Sequence, residues 1–356
     1  MNWLQLELIG LTKKFPGFTL GPLDLKVKDE VSVMIGLTGS GKTTVLNLIS
    51  GIIRPDNGSV ILDGLEITHQ TIESRRVGYS FQTPFLFPHL NVYDNITFGL
   101  KKNDKQAKKI YVKKLLDDMD ISHLRDRKIQ GLSGGEMQKV SLARMLAVEP
   151  KIILMDEPLA HLDPPTRRKF RIEFRRVLKT YRVPVIYVTH FEEDVYALAD
   201  SVAVLRDGKI ENKGKLEAIL SLRSSDSISE ILADVNYIEG KVIESEDGIT
   251  VIEAGSQFIE TLGDHTAGSR VGLLLRPEEI LLSKDVVKTS ARNVIRAQVI
   301  KLVRGISLTD VHLQTDYLHF RVRITEKARK DLGIEIGDFV YAMFKAISPQ
   351  IIREDS

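Results

Sequence analysis

Residues 36–43 read Gly-Leu-Thr-Gly-Ser-Gly-Lys-Thr, a complete G-x-x-x-x-G-K-[ST] phosphate-binding loop, and they follow directly on the apolar run Val31–Ile35. No other feature constrains the fold as strongly. The loop requires a buried strand before it and a helix after it, so that glycines at 36, 39 and 41 let backbone N–H groups curl around an anion. Lys42 can then reach terminal phosphates, and the Thr43 hydroxyl can ligate Mg²⁺. The run Thr44–Gly51 carries apolar residues at helical spacing, so the loop opens onto a helix N-terminus whose dipole favours phosphate. The expected nucleotide-contacting residues are Gly36, Leu37, Thr38, Gly39, Ser40, Gly41, Lys42, Thr43 and Thr44.

Around this loop the first 220 residues alternate short apolar runs with longer helical patterns, the mark of a mostly parallel sheet covered by helices. The spacing predicts strands at Val31–Ile35, Val77–Phe81, Ile152–Met155, Val185–Thr189 and Ser201–Leu205. The first four lead into Gly36, Gln82, Asp156 with Glu157, and His190. In open α/β sheets ligands bind beyond the carboxyl ends of the strands, so these residues should converge. Residues 87–148 look mainly helical, an insertion between two strands. The polar stretch Ser221–Glu230 predicts a boundary, placed at 225/226. Beyond it the pattern turns to short strands, with Glu246-Asp247-Gly248 as a hairpin turn and one helical stretch near Thr325–Leu332. The predicted architecture is therefore α/β, a P-loop nucleotide-hydrolase sheet with a helical subdomain at about 87–148, followed over 226–356 by a small all-β barrel domain in two halves.

Composition narrows the function classes. At 356 residues the chain suits two domains. Fifty basic against 48 acidic residues leave a charge of +2, too even to mark a nucleic-acid binder. The absence of cysteine removes disulfides, thiolate metal sites and cysteine nucleophiles. No apolar stretch approaches the ~18 residues of a membrane span, and Asn2–Leu8 alternates like a strand, so the expectation is a chain neither exported nor self-anchored.

Ile152-Ile-Leu-Met-Asp156-Glu157 is a strand ending in two acids. Beside a phosphate loop, Asp156 suits the Mg²⁺ shell and Glu157 the general base for an attacking water. A histidine at a strand end is often only a hydrogen-bonder; sharing an edge with the phosphate loop, His190 is assigned to the γ-phosphate. Gln82 is assigned to water or Mg²⁺. Ser133-x-x-Glu136 is a capping box, and Gly134 with Gly135 bares the helix start as a second anion site. One phosphate loop already serves the chain's own nucleotide, so a head-to-tail dimer, each subunit gripping ATP held by the other, is the economical arrangement.

These motifs together resemble an ABC transporter ATPase subunit across residues 1–235. Leu132–Glu136, continuing Met-Gln-Lys-Val-Ser-Leu-Ala-Arg144, is similar to the family's signature segment, departing at Glu136 and Lys139. Leu162-Asp163 resembles the end of the D-loop, with His161 where the family is usually small, and the resemblance makes Asp163 a nucleotide-site residue. It also places Phe15 where an aromatic stacks on adenine, although Phe18 is nearby and either could be core. Phe85-Leu-Phe-Pro-His89-Leu-Asn-Val resembles the segment that receives a coupling helix from membrane subunits in importers of sugars, polyamines, iron and oxyanions.

The segment 289–352 is similar to the molybdate-binding MOP domain. The resemblance implies oxyanion contacts from Ser290, Arg292, Asn293, Lys345 and Ala346, with a departure at Ile347-Ser348-Pro349. A tetrahedral dianion needs such donors and a cation, with no carboxylate nearby. A barrel kept only for dimerisation is the plainer alternative. What the resemblance implies is the ATP- and Mg²⁺-dependent subunit of a molybdate or tungstate importer, a peripheral homodimer on the cytoplasmic face of the inner membrane. Its partners would be two permease subunits and an extracytoplasmic oxyanion-binding protein, with the oxyanion also a regulatory ligand and no nucleic acid. Rival readings change the cargo to sulfate, ferric iron, polyamine or sugar, or the class to a soluble ABC ATPase or a non-catalytic sensor.

Overall fold

The computed structural model describes residues 5–28, 31–100, 105–221, 232 and 235–355. The predicted boundary stretch Ser221–Glu230 lies outside these apart from Ser221, as do Asn2 to Leu4 of the N-terminal strand pattern. The chain forms two compact units, Met1–Leu232 and Ala233–Ser356.

Unit one begins with an antiparallel sheet. Strands β1 (Leu6–Phe15) and β2 (Phe18–Val27) pair with each other, and β4 (Asn57–Leu62) with β5 (Leu65–Glu66) extends the β1 side, giving the order β2-β1-β4-β5. Its inward leucines, among them Leu6, Leu8, Leu11, Leu20 and Leu23, share one core with the helix after the phosphate loop. The second sheet contains β3 (Val31–Ile35), β6 (Val77–Ser80), β7 (Ile152–Asp156), β8 (Val185–Val188), β9 (Ser201–Arg206) and β10 (Lys209–Lys215). Its order is β10-β9-β3-β8-β7-β6, with β9, β3, β8, β7 and β6 parallel and only β10 antiparallel. Every residue of β3, β7 and β8 is buried, as expected of parallel strands covered on both faces. The five predicted strands are all present, their ends shifted by at most one residue.

The helices are α1 (Lys42–Ser50), α2 (Val92–Thr97), α3 (Lys105–Asp118), α4 (Gly134–Ala147), α5 (Pro164–Tyr181), α6 (Glu192–Leu198) and α7 (Leu216–Ser221). Helices α2 to α4 form the helical insertion, between β6 and β7. Asp163 caps α5 by accepting from Thr166 N, with proline in the first turn, where its missing N–H costs nothing. Among the described residues no helix is long and apolar enough to cross a membrane.

Unit two is all-β apart from short helical turns and α8 (Glu326–Leu332), which Thr325 caps through Ala328 N. Its first sheet takes β11 (Asn236–Glu246), β12 (Ile249–Ala254), β13 (Gln257–Leu262), β14 (Arg270–Leu275) and, from the chain's end, β20 (Gln350–Asp355). The second takes β15 (Leu281–Ser283), β16 (Asn293–Arg304), β17 (Leu308–Gln314), β18 (His319–Thr325) and β19 (Phe339–Phe344). Both sheets feed a single apolar core. Asp247 and Gly248 form the predicted hairpin turn with φ of 52° and 74°, the left-handed pair that a two-residue hairpin demands.

Candidate functional site

The phosphate loop takes its shape from where its glycines sit. Gly39 and Gly41 have φ of 85° and 105°, open to glycine and strained for other residues. Gly36 is needed for a different reason: a Cβ there would lie 2.2 Å from the Leu205 carbonyl oxygen of β9. Lys42 Nζ donates to the carbonyls of Gly36 (2.9 Å) and Leu37 (3.0 Å), lying across the mouth of the loop. Burial pushes its ammonium pKa down, and the carboxylates of Glu157 and Asp156 oppose that shift. A cleft of about 370 Å³ opens here, bounded by the loop from Thr38 to Thr44, by Phe15 and Phe18, and by Glu157. Both phenylalanines border it, their rings 6.5 Å apart and nearly parallel. Gly36, Leu37 and Ser40 do not line the cleft, and Ser40 Oγ is buried with no hydrogen-bond partner among the described residues.

The strand order puts the two acids and the histidine beside this cleft. Asp156, the last residue of β7, is buried beside Thr43 and Lys42. Burial pushes its carboxyl pKa up, against the lowering effects of Thr43 and Lys42. Glu157 follows at φ 46°, a left-handed conformation uncommon for a side-chain-bearing residue, with its N–H on the Val188 carbonyl at 2.9 Å. That turn aims the carboxylate at β8, where Oε2 lies 3.0 Å from His190 Nδ1. The loop bearing His190 is fixed from below. Thr189 Oγ1 accepts from Phe191 N (2.9 Å) and donates to Asp194 (3.1 Å), which also holds Tyr187 OH and Arg171. Sequence reasoning missed this network; its members sit inside ordinary strand and helix patterns. Gln82 is exposed beyond the edge strand β6, and no hydrogen bond joins it to Thr43 or Asp156.

Ser133 begins α4 with a complete capping box: Glu136 N donates to Ser133 Oγ at 3.3 Å, and Ser133 N to Glu136 Oε2 at 2.7 Å. That backbone donor leads in holding the Glu136 pKa low. Gly134 and Gly135 also permit close packing, since a Cβ on either would come within 3.0 Å of Leu162 and 2.9 Å of Thr166 respectively. The helix start is thus seated against the loop ending in Asp163, whose carboxylate is occupied as the α5 cap.

Residues 20–160 match the ABC transporter family, and residues 289–348 match the TOBE domain. The chain is 36% identical over 345 residues to the molybdate/tungstate import ATP-binding protein WtpC of Pyrococcus horikoshii, covering 96% of this chain and 98% of that one. It is 38% identical to WtpC of Thermococcus kodakarensis over 83% of this chain and 88% of the other. The chain belongs to the ABC transporter family. A solved nucleotide-free ATP-binding cassette of an ABC transporter superposes with a TM-score of 0.57 at 27% identity, covering 64% of this chain and 98% of the other.

As an ABC ATP-binding subunit, the chain carries an aromatic patch around Gln82. Phe81 and Phe85 meet edge to face with centroids 5.4 Å apart, Phe87 packs on Phe98 at 4.3 Å, and Arg144 lies over Phe87. Phe85 and Phe98 remain 65% and 64% exposed, an unusual amount of aromatic surface for so short a segment.

In the TOBE-matching region one of the five candidate oxyanion residues, Arg292, meets a carboxylate. The Arg292 guanidinium is paired with Glu260 of β13 through both Nε and Nη2, and this bonding raises its pKa. Asn293 is buried, its Oδ1 accepting from Glu260 N (2.7 Å) and its Nδ2 donating to Glu260 O (2.9 Å), so the amide is spent in joining β16 to β13. Ser290 and Lys345 are exposed, and Ala346 is buried. Arg292 is therefore not free of carboxylate in this arrangement, while Lys345 forms no ion pair with the described residues. Glu260 is 32 residues from Arg292 in sequence, and nothing local announces the pairing.

Proposed function

We propose that this ABC subunit hydrolyses ATP at the cleft between Phe15, Phe18 and the phosphate loop, and that the energy drives import of molybdate or tungstate. The observation that carries the catalytic assignment is the Glu157–His190 contact beside the lysine-bearing loop. Glu157 takes the proton of the attacking water, His190 Nδ1 orients the Glu157 carboxylate, and Lys42 with the loop amides holds the phosphates. The Thr43 hydroxyl and Asp156 carboxylate are neighbouring hard oxygen donors, fitting residues for Mg²⁺, with Gln82 as a further donor. Mg²⁺ supplies charge neutralisation along the phosphates. No cluster of three or more acidic or histidine ligands exists among the described residues, which agrees with a cation held mainly by phosphate and water.

The cargo reading rests on relatives named for molybdate and tungstate that align over nearly the whole chain, TOBE region included. Two copies would pair head to tail so that Ser133, Gly134, Gly135 and Glu136 of each, with Asp163, face ATP on the other. Two permease subunits would dock on the Phe81–Phe98 patch, placing the chain peripherally on the inner membrane beside an extracytoplasmic oxyanion-binding protein. A regulatory oxyanion at Ser290, Arg292 and Lys345 belongs to the same reading, and it requires Arg292 to leave Glu260. The cargo test is ATP-dependent uptake into vesicles carrying the reconstituted transporter, with molybdate, tungstate and sulfate compared. Uptake of sulfate alone would overturn the assignment.

A further inference from the structure

Helix α5 buries three arginines one turn apart: Arg167, Arg171 and Arg175, exposed by 8%, 6% and 6%. Two of them are paired conventionally, Arg171 with Asp194 at 2.9 Å and Arg175 with Asp200 at 2.8 Å. Arg167 is different. It forms no ion pair among the described residues, its Nε has no hydrogen-bond partner, and its charge rests 3.6 Å above the centre of the Phe191 ring. Its Nη2 donates to the Leu162 carbonyl at 3.0 Å. A buried guanidinium with no carboxylate within ion-pair distance is costly unless its contacts serve a purpose.

Those contacts connect two loops of the ATP site. Leu162 precedes Asp163 and packs against Gly134, the first residue of α4, while Thr166 packs against Gly135. Phe191 follows His190, and their rings lie 4.0 Å apart. His190 in turn holds Glu157. A continuous line of contacts therefore runs from the α4 start through Leu162, Arg167 and Phe191 to His190 and the catalytic carboxylate.

We infer that Arg167 is a positioning residue that ties the Leu162–Asp163 loop to His190, so that movement of the α4 start against that loop sets the His190–Glu157 contact. This rests on the assignment of His190 and Glu157 to catalysis. Displacing either loop alone would pull Arg167 off the Leu162 carbonyl or off the Phe191 face, which makes the arginine a mechanical link. It does not itself touch the reacting atoms.

The test is single-turnover and steady-state ATP hydrolysis by the full-length protein carrying Arg167→Met, Phe191→Leu, Arg175→Met and His190→Ala, singly and with Arg167→Met combined with His190→Ala. The expected result is a kcat loss of about 10-fold for Arg167→Met at unchanged KM for ATP, below the ~10²-fold that a misplacement of ~1 Å can cost. Phe191→Leu should lose a similar factor, which keeps the proposal testable if Arg167→Met folds poorly. Arg167→Met should cause no further loss once His190 is alanine. Equal losses from Arg167→Met in both backgrounds, or an equal loss from Arg175→Met, would reduce Arg167 to a structural residue. Full activity of Arg167→Met and Phe191→Leu beside an impaired His190→Ala would sink this proposal and leave the catalytic reading standing. Full activity of His190→Ala would overturn both.

Discussion

The ATP cleft and the C-terminal oxyanion segment were both recognised from short motifs, and they differ in what remains available for a ligand. In the cleft, the placement is done by backbone: glycines at positive φ, a helix start, and strand ends arranged side by side. Among the described residues Lys42 donates only to carbonyl oxygens, which phosphate can replace, and Asp156 lies beside the Thr43 hydroxyl, where Mg²⁺ can enter. In the C-terminal unit the recognition residues are side chains, and the protein itself has engaged two of them. Arg292 is neutralised by Glu260, and Asn293 has become part of the join between sheets. A motif built on backbone geometry carries its chemistry with it; one built on side chains depends on what the rest of the fold sets against it.

The largest effect should come from Ser133→Arg, which places bulk on an exposed helix start predicted to face a second subunit. Turnover should fall to background while stability drops only by the roughly 0.5–2 kcal/mol of the lost helix cap; ordinary turnover would argue against a shared site. Next, Lys42→Ala should weaken ATP binding about 10- to 100-fold, the worth of charged hydrogen bonds of about 1.5–3 kcal/mol. Nucleotide titration measures this, and unaltered affinity would remove Lys42 from the phosphate contacts. In the other region, Asn293→Ala leaves the N–H and C=O of Glu260 without partners in a sheet junction. Denaturant unfolding should show a loss of about 1–3 kcal/mol, with ATP turnover intact. A stability change within error would mean that Asn293 is spare for a ligand after all. Smallest is Glu260→Ala. Releasing an exposed ion pair worth at most about 1 kcal/mol should tighten molybdate or tungstate binding by up to about 5-fold in calorimetry. Weaker binding would show that Glu260 helps to build the site.

The legibility of each region follows the same physics. Val31–Ile35, Ile152–Asp156 and Val185–Val188 were readable because strands buried on both faces are continuous apolar runs, and the residues after them were readable because parallel strands end together. The capping box at Ser133 and the turn at Asp247-Gly248 were readable because local hydrogen bonding determines them. The antiparallel β1–β2 sheet was recognised only by its N-terminal alternation. Arg167, Asp194 and Glu260 were not legible, since each matters through contacts between segments that periodicity does not relate. Gln82 was read as a site residue from its place after a strand; β6 is the edge strand, but it pairs with β7, which carries Asp156.

The claim that hydrolysis depends on Glu157 is tested most directly by ATP turnover of Glu157→Gln measured beside ATP binding. The variant should bind ATP as the unaltered protein does while hydrolysis falls by ~10²-fold or more, because the amide cannot accept the water's proton. Turnover within a factor of a few of the unaltered protein, at equal nucleotide occupancy, would contradict it.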